Sequence, residues 1–217
     1  SKDVNPPTIE PLENALLNDY EYSPDNTINP PDRGVKINYL ESDDNCIPAF
    51  TPLRFGVELN EPAACKVDIL RKEGFEEMSS FMSSGLLRYN HTHALSLPSP
   101  NALASENITI RNNGNHELFV RCQDANGNSN TATFVFKYCV DPEEDTTPPL
   151  IVTTSILNEA PIAFNQSSVD LDVFVNEPSE CKWSHNNRDF ETMEETMSCA
   201  TGVFDFNAQM LYKCSTT

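Results

Sequence analysis

Apolar and polar residues alternate with a period of two in four segments of the chain. They are Leu53-Arg-Phe-Gly-Val-Glu-Leu, Val169-Asp-Leu-Asp-Val-Phe-Val, His116-Glu-Leu-Phe-Val-Arg-Cys-Gln-Asp and Thr131-Ala-Thr-Phe-Val-Phe-Lys-Tyr. That period puts one face of each segment inward, as in a half-buried β-strand. Asn107-Ile-Thr-Ile-Arg reads as a further short strand. Between the third and fourth segments lies Ala125-Asn-Gly-Asn-Ser, whose Asn126-Gly127 step accepts the positive φ angles of a tight hairpin. One pattern departs from this period. Phe75, Met78 and Met82 stand at i, i+3 and i+7, as do Phe190, Met193 and Met197. This spacing predicts a short helix in each place, crossing between strands and plugging the core. A methionine stripe also suits an adaptable binding face, but the core is the favoured reading. Short strands and frequent turn signals predict an all-β, two-sheet sandwich.

The same segments recur. Val57-Glu-Leu-Asn-Glu-Pro-Ala-Ala-Cys-Lys66 returns as Val173-Phe-Val-Asn-Glu-Pro-Ser-Glu-Cys-Lys182, an offset of 173 − 57 = 116. Phe75-Glu-Glu-Met-Ser-Ser-Phe-Met returns as Phe190-Glu-Thr-Met-Glu-Glu-Thr-Met, an offset of 190 − 75 = 115. Two blocks in nearly one register define a repeat. Asp3-Val-Asn-Pro-Pro7 also resembles Asp145-Thr-Thr-Pro-Pro149, and a Pro-Pro step fixes an extended chain leading into an edge strand. The expected organisation is an arm or linker at 1–31, a first repeat at 32–144 and a second at 145–217, the last lacking its final strands. Residues 1–31 read as a first strand with an insertion, a linker, or an arm reaching a neighbour.

Seven cysteines sharpen the picture. Without CxxC pairs or zinc-type Cys/His spacing, they read as disulfides made in an oxidising compartment. Cys65 and Cys122, in predicted strands 57 residues apart, fit an inter-sheet bridge of the sandwich. Cys46 with Cys139 would then join the first and last strands. At an offset of 115, Cys199 and Cys214 fall where the first repeat has Ser84 and Ser99, so they are expected to bridge each other. Cys181 is the counterpart of Cys65. Its partner would lie near 122 + 115 = 237, so it is expected to be unpaired here or to bond elsewhere. Two readings stand: the chain belongs to a longer repeat array, or another subunit supplies the strands.

With 33 acidic and 14 basic residues, the net charge is −19. A field of that sign repels phosphate backbones and anionic lipid, so neither nucleic acid nor a membrane surface is an expected partner. No apolar run approaches the roughly 20 residues of a membrane span. There is no signal peptide, and the opening at Ser1 reads as a mature terminus or a cut. Three N-x-[ST] sequons, at Asn90, Asn107 and Asn165, agree with secretion and glycosylation.

The segments Asn176-Glu-Pro-Ser-Glu-Cys-Lys-Trp-Ser, Met193 to Met197-Ser-Cys199, and Leu118-Phe-Val-Arg-Cys-Gln-Asp-Ala-Asn-Gly-Asn128 carry a resemblance. They resemble the immunoglobulin-like and fibronectin-type-III-like repeats of prokaryotic, especially archaeal, extracellular surface proteins. The resemblance spans roughly residues 32 to 217. It implies tandem immunoglobulin-like domains in a stalk, adhesin, surface layer or filament. The first repeat departs from the pattern, with Val67 at the position of Trp183 and without the second disulfide.

Catalysis is not expected. No GxSxG, HExxH or P-loop pattern occurs, and no catalytic residue is nominated. His91-Thr-His93 has no third ligand and reads as a solvated loop; His116 and His185 are isolated. Asp124, Asn126 and Asn128, with Glu61 or Glu177, could offer oxygen to calcium, but the loop lacks the glycine and closing glutamate of a calcium loop. A plain hairpin turn is favoured, and no metal or other cofactor is expected. Asp141-Pro-Glu-Glu-Asp145 reads as a solvated acidic linker, and Trp183 as core packing beside the cysteines. The expected function is structural: part of an extracellular appendage, stalk or filament, with self-association or neighbouring repeats as partners. An adhesin or ligand-binding module, and an accessory domain of a secreted enzyme, are the alternatives.

Overall fold

A computed structural model describes residues 4–83, 85–96, 114–142, 145, 147–157, 159–161, 163–202, 205–207 and 211–216. The chain is all-β, with three disulfides. It divides into two compact units. Among the described residues, the first takes 4–48, 53–94 and 114–142, and the second takes 49–52, 95–96 and 145–216.

The first unit is built from β1 (Ile9–Pro11), β2 (Tyr20–Pro24), β3 (Arg33–Tyr39), β4 (Leu53–Asp68), β5 (Ser80–Phe81), β6 (Arg88–Leu95), β7 (Asn115–Asp124) and β8 (Phe134–Cys139). They form one sheet in the order β1-β4-β7-β8-β3-β2, with β5 and β6 also on β4. The segment 1–31 therefore contributes two strands, β1 against β4 and β2 against β3. The pairing of β3 with β8 is parallel and the other registered pairs are antiparallel. Gly34 makes this parallel contact possible, because a Cβ there would stand 1.9 Å from the Val135 carbonyl oxygen.

The sheet curls over a shared core. Phe55 of β4 and Phe136 of β8 are two strands apart in pairing order, yet their rings lie 4.7 Å apart. Flat neighbours in a sheet are spaced by about 4.8 Å per strand, so this contact requires curvature. Tyr22 and Phe134 join the same cluster at 5.8 and 5.2 Å from Phe136. Ile37, Val57 and Val120 are fully buried around it.

Strand β4 runs for 16 residues and contains Pro62. Residues Val57 to Leu59 pair with β1, and residues Ala63 to Asp68 pair with β7. Proline lacks an N–H and suits a point where a ladder is interrupted. Here it stands between the two ladders.

The second unit contains β9 (Ile151–Thr154), β10 (Leu171–Val175), β11 (Lys182–Trp183), β12 (Glu195–Thr196), β13 (Ser198–Cys199) and β14 (Tyr212–Thr216). One sheet has the order β13-β14-β10-β9; β11 and β12 form a separate two-stranded ribbon. Tyr212 is buried and meets Phe50 and Phe206 edge-on at 6.4 and 6.0 Å.

The expected helices do not form. Among the described residues the only helical turns are 3-10, at Glu13–Ala15 and Phe190–Thr192. In the first unit the Phe75 carbonyl accepts one turn bond from Met78 N–H, and β5 follows. Other groups claim the donors a helix would need. Ser79 N–H goes to the Asp68 carboxylate, and Met82 N–H goes to the Cys65 carbonyl. The apolar residues of the first set are nonetheless core, with Phe75, Met78 and Met82 all buried; of the second set only Met197 is buried, Met193 being half-buried and Phe190 exposed, which corrects the core reading there.

Candidate functional site

The candidate site is the segment around the repeated cysteine, from the Asn-Glu-Pro step to the turn beyond it, because the structure builds it twice. Asn60 Oδ1 accepts Thr8 N–H at 2.6 Å, and Asn176 Oδ1 accepts Leu150 N–H at 2.6 Å. Thr8 and Leu150 each follow a Pro-Pro step. The next residues pair alike, Ile9 opposite Leu59 and Ile151 opposite Val175. Beyond the cysteine, Lys66 opposes Phe81 and Val67 opposes Ser80; Lys182 opposes Thr196 and Trp183 opposes Glu195. Met82 N–H donates to the Cys65 carbonyl at 2.9 Å, and Met197 N–H to the Cys181 carbonyl at 2.9 Å. The lysine ammonium caps an aromatic face in both, 4.8 Å from the Phe75 centroid and 4.5 Å from that of Phe190.

The cysteines distinguish the two copies. Cys65 and Cys122 are bonded and face each other across β4 and β7, Cα to Cα 4.1 Å. This is a cross-strand bridge within one sheet, which corrects the expected inter-sheet bridge. Facing positions on adjacent antiparallel strands already lie within disulfide reach, and a spacing of 57 residues is compatible with either arrangement. Cys46 and Cys139 are bonded; Cys139 ends β8, and Cys46 precedes the Ile47 bridge to Val140. Cys199 and Cys214 are bonded across β13 and β14. Cys181 is free and half-buried, and burial pushes its thiol pKa up. The sulfurs of Cys181, Cys199 and Cys214 lie within 4.8 Å of one another. With Cys199 and Cys214 joined, only Cys181 can offer a thiolate, so this trio lacks the ligands a metal needs.

Two polar anchors escaped the sequence reading. Arg121, beside Cys122, is 1% exposed and donates to the carbonyls of Lys72, Asn130 and Thr131. It ties the turn and the following hairpin to β7. Its alternation in β7 marks it only as one more polar position, so no signal in the strand pattern announces burial. Asn176 is likewise 1% exposed; its amide donates to the Phe50 carbonyl, and its own carbonyl accepts from Ser96. Next to it, Glu177 and Asp145 share a hydrogen bond. Burial, then that bond and the Asp145 charge, push Glu177 up to about 8. At Asp145 the bonds from Glu177 and Thr147 outweigh burial and hold the carboxyl below its ordinary range. The pair therefore holds one proton near neutrality, on Glu177.

The other nominated residues separate in space. Asn90 is exposed on β6 and Asn165 is exposed at a positive φ of 65°, while Asn107 lies outside the described residues. The Asp124 carboxylate accepts Asn126 N–H, Asn128 N–H and the Asn128 amide, all within 2.8 Å. These bonds close the hairpin on the carboxylate, with Gly127 at φ 87°. His91 and His93 lie on strand β6, which corrects the solvated-loop reading. His91 is fully buried, with Nε2 2.8 Å from the Ala63 carbonyl, and Gly56 leaves room for the strand: a Cβ there would stand 2.6 Å from the His91 carbonyl. His93 packs edge-on to Phe55, and burial lowers its pKa to about 4. His116 stacks on Tyr138, and burial lowers its pKa too. Trp183 is half-buried, edge-on to His185, with its indole N–H unpaired.

No family model, curated protein or solved structure matches the chain. Three disulfides point to folding outside the reducing cytoplasm. No helix of the described residues is long and apolar enough to cross a membrane.

Proposed function

We propose that this chain is a non-catalytic structural segment of an extracellular appendage, stalk or filament, made of tandem immunoglobulin-like units. One observation carries the reading: the Pro-Pro, Asn-Glu-Pro and Cys-Lys elements recur with the same hydrogen bonds and the same strand register in both units. A backbone-fixing device repeated from unit to unit suits an array in which each unit is built alike. Parallel pairing of β3 with β8 and curling of the sheet over its aromatic core support the immunoglobulin-like reading. The acidic charge keeps such a surface soluble and away from nucleic acid. Glycans on Asn90 and Asn165 fit the same setting.

The test is immunogold labelling of intact cells and of sheared surface material. Label along stalks or filaments is expected. Label confined to the cytoplasm, or to a freely secreted hydrolase fraction, overturns the reading. An adhesin or ligand-binding module is the second reading, favoured by Leu86, Leu87 and Tyr89, which are 55%, 49% and 55% exposed. Gold confined to appendage tips would select it.

A further inference from the structure

On the outer face of the first unit's sheet, three adjacent strands carry a row of charged side chains. Glu117 of β7 faces Lys137 of β8, and Lys137 stands in parallel register with Lys36 of β3. Their chain neighbours Leu118, Phe136 and Ile37 are core residues, so these three point the other way. The chain leaving β2 folds back over the row. Thr27 N–H and the Thr27 hydroxyl donate to Asp25 Oδ1 at 2.8 and 2.6 Å, and the Lys137 ammonium donates to Thr27 Oγ1 at 2.8 Å. The loop thus passes β3 and reaches β8, which turns a sheet face into a cleft of about 430 Å³. That volume falls within the roughly 300–1,000 Å³ of small-ligand sites. The charges in the cleft cancel, with the ammoniums of Lys36 and Lys137 set against the carboxylates of Asp25 and Glu117. Lys137 is already engaged, by Thr27 and by Glu117 Oε1 at 3.0 Å. Among the described residues, the Lys36 ammonium and Glu117 Oε2 have no hydrogen-bond partner.

We propose that this cleft binds a neutral carbohydrate, with Lys36 donating to its hydroxyls and Glu117 and Asp25 accepting from them. The inference stands apart from the filament reading and from the exposed Leu86, Leu87 and Tyr89. A sugar hydroxyl both donates and accepts, so one placed between an ammonium and a carboxylate satisfies both. An anion would approach against a net charge of −19. A cation would meet two ammoniums in the middle of the row. A neutral polyol meets neither penalty, and it gains hydrogen bonds to charged groups, which are the stronger kind. Hydrogen bonds from Thr27, and after them the charges of Lys137 and Lys36, hold the Asp25 carboxyl below its ordinary range. It therefore stays an acceptor in mildly acidic solution. Lys137 is a positioning residue, because its ammonium holds the loop that walls the cleft.

Isotope-edited NMR titration of the protein tests this. The probes are the methyl glycosides of glucose, galactose and mannose, and N-acetylglucosamine, each at millimolar concentration, with glucuronate and glucosamine as charged controls. At least one neutral sugar is expected to shift the amide signals of Lys36, Glu117 and Thr27. Lys36→Met and Glu117→Gln are each expected to weaken that binding at least about tenfold, the loss of one hydrogen bond to a charged group. Leu87→Ser is expected to leave it unchanged. The two cleft substitutions lie on separate strands, so either one suffices if the other fails to fold. No shift with any neutral sugar, tighter binding of glucuronate or glucosamine, or full binding by a folded Lys36→Met or Glu117→Gln protein overturns the proposal. Sedimentation with and without the sugar then identifies its source. Self-association that free sugar reverses places the ligand on the glycans of a second copy, and a monomer throughout places it on a foreign surface; both uphold the site.

Discussion

The two copies of the Asn-Glu-Pro segment have nearly the same sequence but different structures. In the first unit it lies within one continuous strand, β4, which passes Pro62 and changes partners from β1 to β7. In the second unit the strand ends at Val175 and a new one starts at Lys182, so β10 and β11 belong to different sheets. Local hydrogen bonds to the preceding Pro-Pro segment and to the following turn are the same in both. What differs is the neighbour: β7 lies along the cysteine half of β4, and no described strand takes that place on β11. Local sequence fixes the turn, and the non-local partner decides whether the strand is continuous.

The comparison is broken most severely by removing the bond between β4 and β7. Replacing Cys65 and Cys122 together by alanine releases a loop of 57 residues and should destabilise the first unit by about 4 kcal/mol on the chain-entropy scale. The denaturant midpoint followed by tyrosine signals reads this. The same exchange at Cys199 and Cys214 releases only 15 residues and should cost about 3 kcal/mol, in the second unit. Fluorescence of Trp183, the single tryptophan, reports that unit alone.

Smaller changes sharpen the same contrast. Arg121→Met leaves three part-buried carbonyls without their donor and should cost about 1–3 kcal/mol in the first unit. Asn176→Ala removes a donor and an acceptor in the second unit and should cost about 2 kcal/mol. Each loss is read from its own unit's unfolding midpoint, and an equal shift in the other unit would contradict the division.

Acidity gives the most selective effect, because it separates the units by sign. His93 has its folded pKa lowered from 6.5 to about 4, so its neutral form stabilises the first unit above 6.5. That stability is lost as pH falls through 4. Glu177 has its folded pKa raised from 4.5 to about 8, so its stabilising proton is fully present below 4.5 and lost as pH rises through 8. The two groups therefore tilt their units in opposite directions between pH 4.5 and 6.5. Glu177→Gln should flatten the second unit's dependence between pH 5 and 8, and His93→Phe the first unit's between pH 4 and 6.5. Thermal melts across that range check both.

Much of this was legible in the chain. The alternation at Leu53–Leu59, Val169–Val175 and His116–Asp124 corresponds to strands, and the 115–116 offset corresponds to matched hydrogen bonds. The Cys65–Cys122 pair followed from strand placement and spacing, Cys46–Cys139 from the cysteines that remained, and Cys199–Cys214 from positions at which the first repeat has serine. The helices were misread because Phe75, Met78 and Met82 have helical spacing, whereas Asp68 and Cys65 outcompete the helix for its backbone donors. Those acceptors come from another strand and cannot be seen in a window of seven residues. The same non-locality hid the burial of Arg121 and His91, and it let the Cys65–Cys122 bridge be read as crossing between two sheets when it joins neighbouring strands of one.

The Cys46–Cys139 bond has a mechanical meaning. These residues are 93 apart in sequence. A pull applied on either side of that span is carried through the sulfur bridge, so the enclosed chain adds nothing to the length even if its strands give way. At about 3.4 Å per extended residue, roughly 300 Å of slack is withheld. Under tension the span from Cys46 to Cys139 behaves as a short tether rather than a spool, and the β4–β7 core inside the loop is shielded from the load.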